Sequence, residues 1–116
     1  MATLQSDAER AKRVGSREGL DVARLGNHAG QAETSMMLAY RPDLVRMSKA
    51  CEGYVGDLSA AAAEFMKTKK FPPVDALSPT GILGDARGST RELGERMLAD
   101  RAEYLPETKQ TVSLGE

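Results

Sequence analysis

The stretch NHAGQAETSMMLAYRPDLVRM, residues 27–47, decides the fold prediction for this sequence. Its apolar run over residues 36–40 is typical of a buried helix. That helix is expected to end before Pro42, because the residue that precedes a proline is pushed out of the α-helical region. The stretch therefore predicts a helix over roughly residues 31–40 with polar residues at its beginning.

The polar residues before this helix form the candidate site. His28 is the single histidine of the sequence and follows a Gly26-Asn27 turn, while Gly30 permits close approach of the backbone to another group. Functional side chains are often held in such a loop at the mouth of an apolar scaffold. The spacing of His28 and Glu33 does not place them on one helix face. From the residues alone, His28 is either a loop histidine with satisfied hydrogen bonds or a catalytic group.

The residues before the turn predict a helix and a strand. Ser6 and Glu9 have capping-box spacing and open a helix over residues 6–14, which Gly15 interrupts. Residues 20–25, LDVARL, alternate weakly and predict a short strand. Such a strand would deliver His28 at its carboxyl end, where ligands bind in open α/β sheets.

Two more helices are predicted after residue 50. Residues 57–67 have apolar side chains at helical spacing, with Asp57 as N-cap and with Phe65 and Met66 in the core. Ser89 and Glu92 repeat the capping-box signal and open a helix that Pro106 ends. Residues 1–106 are therefore predicted to form one domain, and residues 107–116 a polar tail that is disordered or depends on a partner.

Composition excludes several classes of function. Sixteen basic and seventeen acidic residues leave a formal charge of −1, which argues against binding to nucleic acid or to an anionic membrane. A single cysteine, Cys51, excludes an internal disulfide and a cysteine-rich zinc site, and it favours a cytoplasmic location. Cys51 is interpreted as a packing or surface thiol rather than a nucleophile. The sequence has no apolar run of bilayer length and no signal peptide at its start.

Two ordered motifs carry a resemblance to a known family. The stretch from His28 to Met47 closely resembles a segment of the creatininase (creatinine amidohydrolase) family. SPTGILGD at residues 78–85, then GST at 88–90 and ELGER at 92–96, agree in the same order. The resemblance extends over roughly residues 26–100 and corresponds to the C-terminal half of the family.

The resemblance implies an α/β fold. The complete protein would be a three-layer α/β/α sandwich, of which this chain would form a mainly helical part with one to three short strands. The resemblance also implies self-association, since family members are oligomers and commonly hexamers.

The resemblance further implies metal-dependent amide hydrolysis. Family members hold two divalent metal ions, zinc or manganese, mainly through motifs of the N-terminal half that a chain with one histidine cannot contain; no metal site is therefore expected in this chain alone. By resemblance, His28 is the acid/base that passes a proton to the leaving nitrogen. Glu33 is the second catalytic residue, a carboxylate next to the metal ions or behind their ligands that orients its neighbours. Gly30 would contact the substrate. The turn from Gly81 to Asp85 either lines the site rim or a subunit contact, or is a structural loop in which Asp85 bonds its own turn.

Three hypotheses follow. The chain corresponds to half of an amidohydrolase for a cyclic amide, a formamide or a peptide-like amide, inactive until a missing N-terminal half or a second polypeptide completes the site. Alternatively, it is a non-catalytic oligomeric interaction or assembly module derived from that family, which the missing ligands favour for the chain acting alone. The third hypothesis is that the chain is the product of a truncated open reading frame and folds without any function.

Overall fold

A computed structural model describes residues 7–70 and 73–103, and this part of the chain is mainly helical, as predicted. The predicted strands are absent from it, so the expectation of one to three short strands is wrong there. Two isolated bridges, His28 with Leu83 and Glu52 with Asp85, are the β-type pairings between described residues. The three-layer sandwich stays a prediction.

The helices are α1 Asp7–Glu18, α2 Val22–Leu25, α3 Gln31–Tyr40, α4 Ser59–Thr68, α5 Val74–Leu77 and α6 Arg91–Glu103, with 3₁₀ turns at Pro42–Leu44, Met47–Lys49 and Ala86–Gly88.

The helix predicted over residues 31–40 is confirmed as α3, but its buried face is not the expected one. Arg41, with φ −141° and ψ 74°, leaves the helical region before Pro42, as the proline rule requires. Ala32 and Ser35 are buried, whereas Tyr40 is 75% exposed. The small side chains of Ala32 and Ser35 face the core where α6 crosses the helix, and Met36 packs beside them. Met37 and Tyr40 of the apolar run lie at the surface.

The crossing of α3 and α6 depends on a glycine. A Cβ on Gly94 would lie 1.8 Å from the carbonyl oxygen of Ser35, so only a glycine lets the two backbones come this close. Around the crossing lies a small core contributed by α1, α2, α3 and α6. Its members are Val14, Leu25, Ala32, Leu93 and Met97.

The strand predicted over residues 20–25 is wrong, because a helix cap at Asp21 takes precedence over the weak alternation. The Asp21 carboxylate accepts a hydrogen bond from Ala23 N at 3.0 Å and begins α2. The interruption predicted at Gly15 is also absent, since α1 continues to Glu18. Gly15 lies inside the helix because Leu25 packs against it, with Cδ1 2.6 Å from where a Cβ would be.

A buried carboxylate joins α1 to α6. Asp100 accepts hydrogen bonds from Arg13 Nη2 at 2.7 Å and Nε at 3.3 Å, and it lies 3.4 Å from Arg17 Nη2. The Asp100 side chain is only 3% exposed. Since a carboxylate this buried is costly without partners, the two arginines hold α1 in place.

The later helices agree with the predictions except in detail. Asp57 accepts a hydrogen bond from Ser59 N at 2.8 Å and begins α4, as expected. Met66 is 66% exposed and Phe65 is only half-buried, so the assignment of both side chains to the core is wrong. The cap of α6 is Thr90, which accepts from Leu93 N at 3.1 Å, rather than the predicted Ser89.

Some predictions fall outside the described residues. They concern the Ser6 cap, the end of the last helix at Pro106 and the tail over residues 107–116. Within the described ranges, none of the helices combines the length and the apolar character needed to cross a bilayer.

We expect Gly94→Ala to destabilise the protein by about 2 kcal/mol or more, because the added methyl group would overlap the Ser35 carbonyl. The measurement is the free energy of unfolding in urea. Gly88→Ala is the control: its added Cβ would meet only the movable end of the Gln31 side chain, and its cost should stay below about 1 kcal/mol. Equal costs for the two variants would contradict the close crossing of α3 and α6.

Candidate active site

His28 is exposed on the loop between α2 and α3, and its ring orientation is fixed by the backbone. Its Nδ1 lies 2.7 Å from the carbonyl oxygen of Gly81. Because a carbonyl oxygen only accepts, Nδ1 must carry the hydrogen, and the neutral ring then has its lone pair on Nε2. Among the described residues Nε2 has no hydrogen-bond partner. The structure therefore holds one tautomer and leaves the other nitrogen open to exchange a proton with a reactant.

Glu33 acts on the backbone beside His28 rather than on the ring. Its Oε2 accepts a hydrogen bond from Ala29 N. Ala29 has φ +52°, a left-handed conformation that an alanine adopts only at a cost. The carboxylate stabilises this bend from the first turn of α3, where a negative charge is also favoured by the helix dipole. The position of Glu33 suits an indirect role in placing His28, and its catalytic role stays a prediction.

Gly30 is buried, and the close approach it permits is to the protein's own backbone. A Cβ at Gly30 would lie 2.6 Å from Leu25 O and 3.2 Å from Gly26 Cα. Gly84 completes the contact, because its own Cβ would lie 2.8 Å from Gly26 Cα and 3.0 Å from Gly30 Cα. This packing explains why a glycine is needed at residue 30. The predicted contact of Gly30 with a substrate stays a prediction.

The turn from Gly81 to Asp85 passes through the centre of the site. On one side, Leu83 N donates to His28 O at 2.7 Å, and Asp85 N donates to Arg24 O at 2.8 Å. On the other side, Gly53 N donates to Gly84 O, and Tyr54 N donates to Ile82 O, both at 2.9 Å. The segment of residues 81–85 is therefore bonded along both edges, and it carries the carbonyl that orients His28.

Four charged side chains close the far end of this segment. Asp85 pairs with Arg24 and, at 2.8 Å, with Arg87 Nη2. Glu52 pairs with the same two arginines, at 2.8 Å and 2.7 Å. We call these four residues, Arg24, Glu52, Asp85 and Arg87, the arginine–carboxylate cluster. Asp85 Oδ1 accepts from Arg87 N at 3.0 Å and so caps the following 3₁₀ turn, Ala86–Gly88, rather than bonding within residues 81–85.

The cluster keeps the buried Asp85 ionised. Hydrogen bonds from the Arg87 side chain hold the pKa of Asp85 well below its usual range, against the opposing effect of burial, with further contributions from Arg87 N and from Arg24. Its partners lie 61 residues before it and two residues after it. Sequence spacing contains no signal for the cluster, except that an aspartate often accepts a hydrogen bond from the backbone two residues on.

An open groove of about 320 Å³ borders the loop that carries His28. Asn27 and Leu83, the neighbours of His28 in sequence and in the bridge, line it together with Tyr54. Val22 and Leu58 make further parts of its wall apolar. Its volume would hold a peptide side chain, and the His28 side chain itself is not part of its lining.

The described residues do not fit a resident metal ion. No group of three or more histidine, cysteine, aspartate or glutamate side chains gathers within residues 7–70 and 73–103. The carboxylates near the site are already engaged, Asp85 and Glu52 with arginines and Glu33 with Ala29 N. Binding a cation there would require these pairs to break, which is costly for the buried Asp85.

Comparisons with known proteins identify relatives of the chain. The family model described as creatinine amidohydrolase, Creatininase, matches residues 3–108. A protein of Mycobacterium ulcerans named mycofactocin precursor peptide peptidase is 34% identical over 73 residues, which are 63% of this chain and 28% of that protein. The protein of the same name from Mycolicibacterium smegmatis is 38% identical over 73 residues, with the same shares. The matched stretch thus spans little more than a quarter of these relatives. No solved structure matches the chain.

We expect Ala29→Gly to leave stability unchanged or to raise it by up to about 1 kcal/mol, because glycine relieves the positive φ and loses part of that gain through a more flexible unfolded chain. Ala39→Gly, in the interior of α3, should instead cost roughly 1 kcal/mol. Urea unfolding of both variants measures this. A loss at residue 29 as large as that at residue 39 would rule out the left-handed conformation.

We expect Asp85→Asn to lower the free energy of unfolding at pH 7 by roughly 1–3 kcal/mol, because hydrogen bonds to a charged, buried group are lost. The pKa of Asp85 is lowered on folding, so its contribution is complete above the unfolded pKa of about 4 and is lost as pH falls through the folded value. Urea unfolding between pH 7 and pH 2 should therefore show the two proteins converging in acid. Asp43→Asn, at an exposed pair with Arg41, is the control and should have a much smaller effect. A constant difference at every pH would contradict the ionised cluster.

Proposed function

Since this chain belongs to the creatininase family, we propose that it supplies the histidine-bearing wall of a hydrolase that cleaves the C–N bond of a peptide-like amide. Within that site, His28 transfers the proton and the segment of residues 81–85 orients its ring. The ligands for the divalent metal that the family generally uses come from outside the described residues, in a further part of a longer protein or in a second polypeptide.

The observation that carries this proposal is the hydrogen bond from His28 Nδ1 to Gly81 O. It leaves Nε2 as a proton acceptor on an exposed ring, and an imidazole exchanges protons readily near neutral pH. When an amide breaks, the nitrogen that leaves must gain a proton as the C–N bond opens. His28 Nε2–H, after accepting a proton, is the group in this chain best placed to donate it.

The relatives favour a peptide-like amide over a cyclic amide or a formamide. Both curated relatives are named as peptidases of a precursor peptide. The groove that borders the loop of His28 has apolar walls at Val22, Leu58 and Leu83 and would accommodate a peptide side chain. A small formamide would leave this surface uncovered.

The assembly module remains the second candidate for the chain acting alone. It is favoured by the engagement of the carboxylates near the site and by large apolar side chains left at the surface. Tyr40 is 75% exposed, Leu44 60% and Met66 66%. Surfaces of this kind are commonly covered by a partner or by a second copy.

Complementation separates the two candidates. We expect the chain alone, supplied with zinc or manganese, to bind no stoichiometric metal and to cleave no peptide amide, because its donors are engaged. Co-expression with the part of the Mycolicibacterium smegmatis relative that the chain does not match should restore metal-dependent cleavage of a chromogenic peptide amide. In that complex, His28→Ala should lower kcat at least about 100-fold, with the metal content unchanged.

Lys49→Ala, at an exposed residue of the second 3₁₀ turn, is the matched control and should retain full activity. A complex that forms and holds metal but is equally active with His28→Ala would contradict the role of His28. A stable oligomer of the chain without metal or turnover, and with no activity after complementation, would favour the assembly module.

A further inference from the structure

The loop that carries His28 and the segment that orients it run antiparallel, joined at three places. The side chains of Arg24 and Asp85 pair at one end. In the middle, Leu83 bonds His28 through backbone groups, with Leu83 N to His28 O at 2.7 Å and His28 N to Leu83 O at 3.3 Å. At the other end, the His28 ring meets Gly81 O. The alignment of these two stretches of backbone therefore determines whether His28 Nδ1 lies within hydrogen-bond distance of Gly81 O.

We propose that Asp85 is a positioning residue for His28. By clamping Arg24 and Arg87 to the end of the segment, Asp85 holds Gly81 O in line with Nδ1 and so sets the tautomer that exposes Nε2 as the acceptor. The effect of Asp85 on the His28 tautomer can be tested without any reaction. Its importance for catalysis rests on the proposed function.

Gly81 itself is not held by packing. A Cβ there would meet no atom within 4 Å, and its φ of +79° is a conformation that glycine adopts freely. Its own amide donates to Ser78 O at 3.0 Å, so the position of its carbonyl depends on that turn and on the bonded segment that follows it. Asp85 is the charged anchor of that segment, 5% exposed, and accepts hydrogen bonds from the Arg24 side chain and from both the backbone and the side chain of Arg87.

The sole histidine makes the test direct, because one imidazole gives one set of signals. Long-range ¹H–¹⁵N spectra of the uniformly labelled full chain, taken in alkaline buffer, report which nitrogen carries the hydrogen. The intact protein should show Nδ1–H as the main form. Asp85→Asn should shift the population towards Nε2–H, the form that free imidazole side chains favour in water, while Asp43→Asn leaves it unchanged.

Arg87→Gln serves if Asp85→Asn fails to fold, since Arg87 is exposed and its loss removes one side of the clamp only. It should give a smaller shift in the same direction, with the backbone amide spectrum preserved. An Nε2–H form in the intact protein, or an unchanged Nδ1–H form in folded Asp85→Asn and Arg87→Gln, would overturn the inference.

The outcomes for the inference and for the proposed function are separable. A tautomer shift in Asp85→Asn without any hydrolysis in the complemented enzyme would support the positioning and contradict the function. Hydrolysis that depends on His28, together with a tautomer that does not change in Asp85→Asn, would support the function and contradict the positioning role. If both hold, kcat of the complemented Asp85→Asn enzyme should fall about tenfold and KM should change little.

Discussion

The close approach of three glycines is the constraint on which the site depends. Gly26, Gly30 and Gly84 bring the loop of His28 and the segment of residues 81–85 into backbone contact, with no room for a side chain between them. Only at this distance can the backbone of His28 and Leu83 exchange hydrogen bonds. This contact brings the two stretches of backbone together, while Asp85 and its two arginines anchor one end and the imidazole meets Gly81 O at the other.

Local chemistry explains which parts of the fold the sequence could predict. The end of α3 was predictable because Pro42 acts on its immediate neighbour, and the start of α4 because Asp57 caps the residue two positions on. The error at residues 20–25 has the same origin: a cap at Asp21 is a specific hydrogen bond, whereas alternation over six residues is a weak pattern. Thr90 took the cap expected at Ser89 because Ser89 instead donates to Ala86 O at 2.7 Å.

Individual residues of the candidate site could be predicted from the sequence, but the contacts between them could not. His28 and Glu33 were found from residue type and from the family resemblance, but sequence spacing gave no sign that Glu33 would hold the Ala29 backbone. The arginine–carboxylate cluster was missed, because Arg24, Glu52 and Asp85 meet only after the chain has folded. Family membership thus indicates the reaction class. The geometry explains how one exposed imidazole is held in the tautomer that leaves Nε2 open.

The way α1 is attached has a consequence for the motions of the molecule. Among the described side chains of α1, Val14 belongs to the core, and Arg13 and Arg17 around Asp100 add charged contacts to α6. Mobile ions shield such charges, most of all at the more exposed Arg17, while they leave apolar contacts intact. Added salt would therefore weaken mainly the Arg17 contact, and the amide protons of α1 should then exchange with solvent sooner than those of α3.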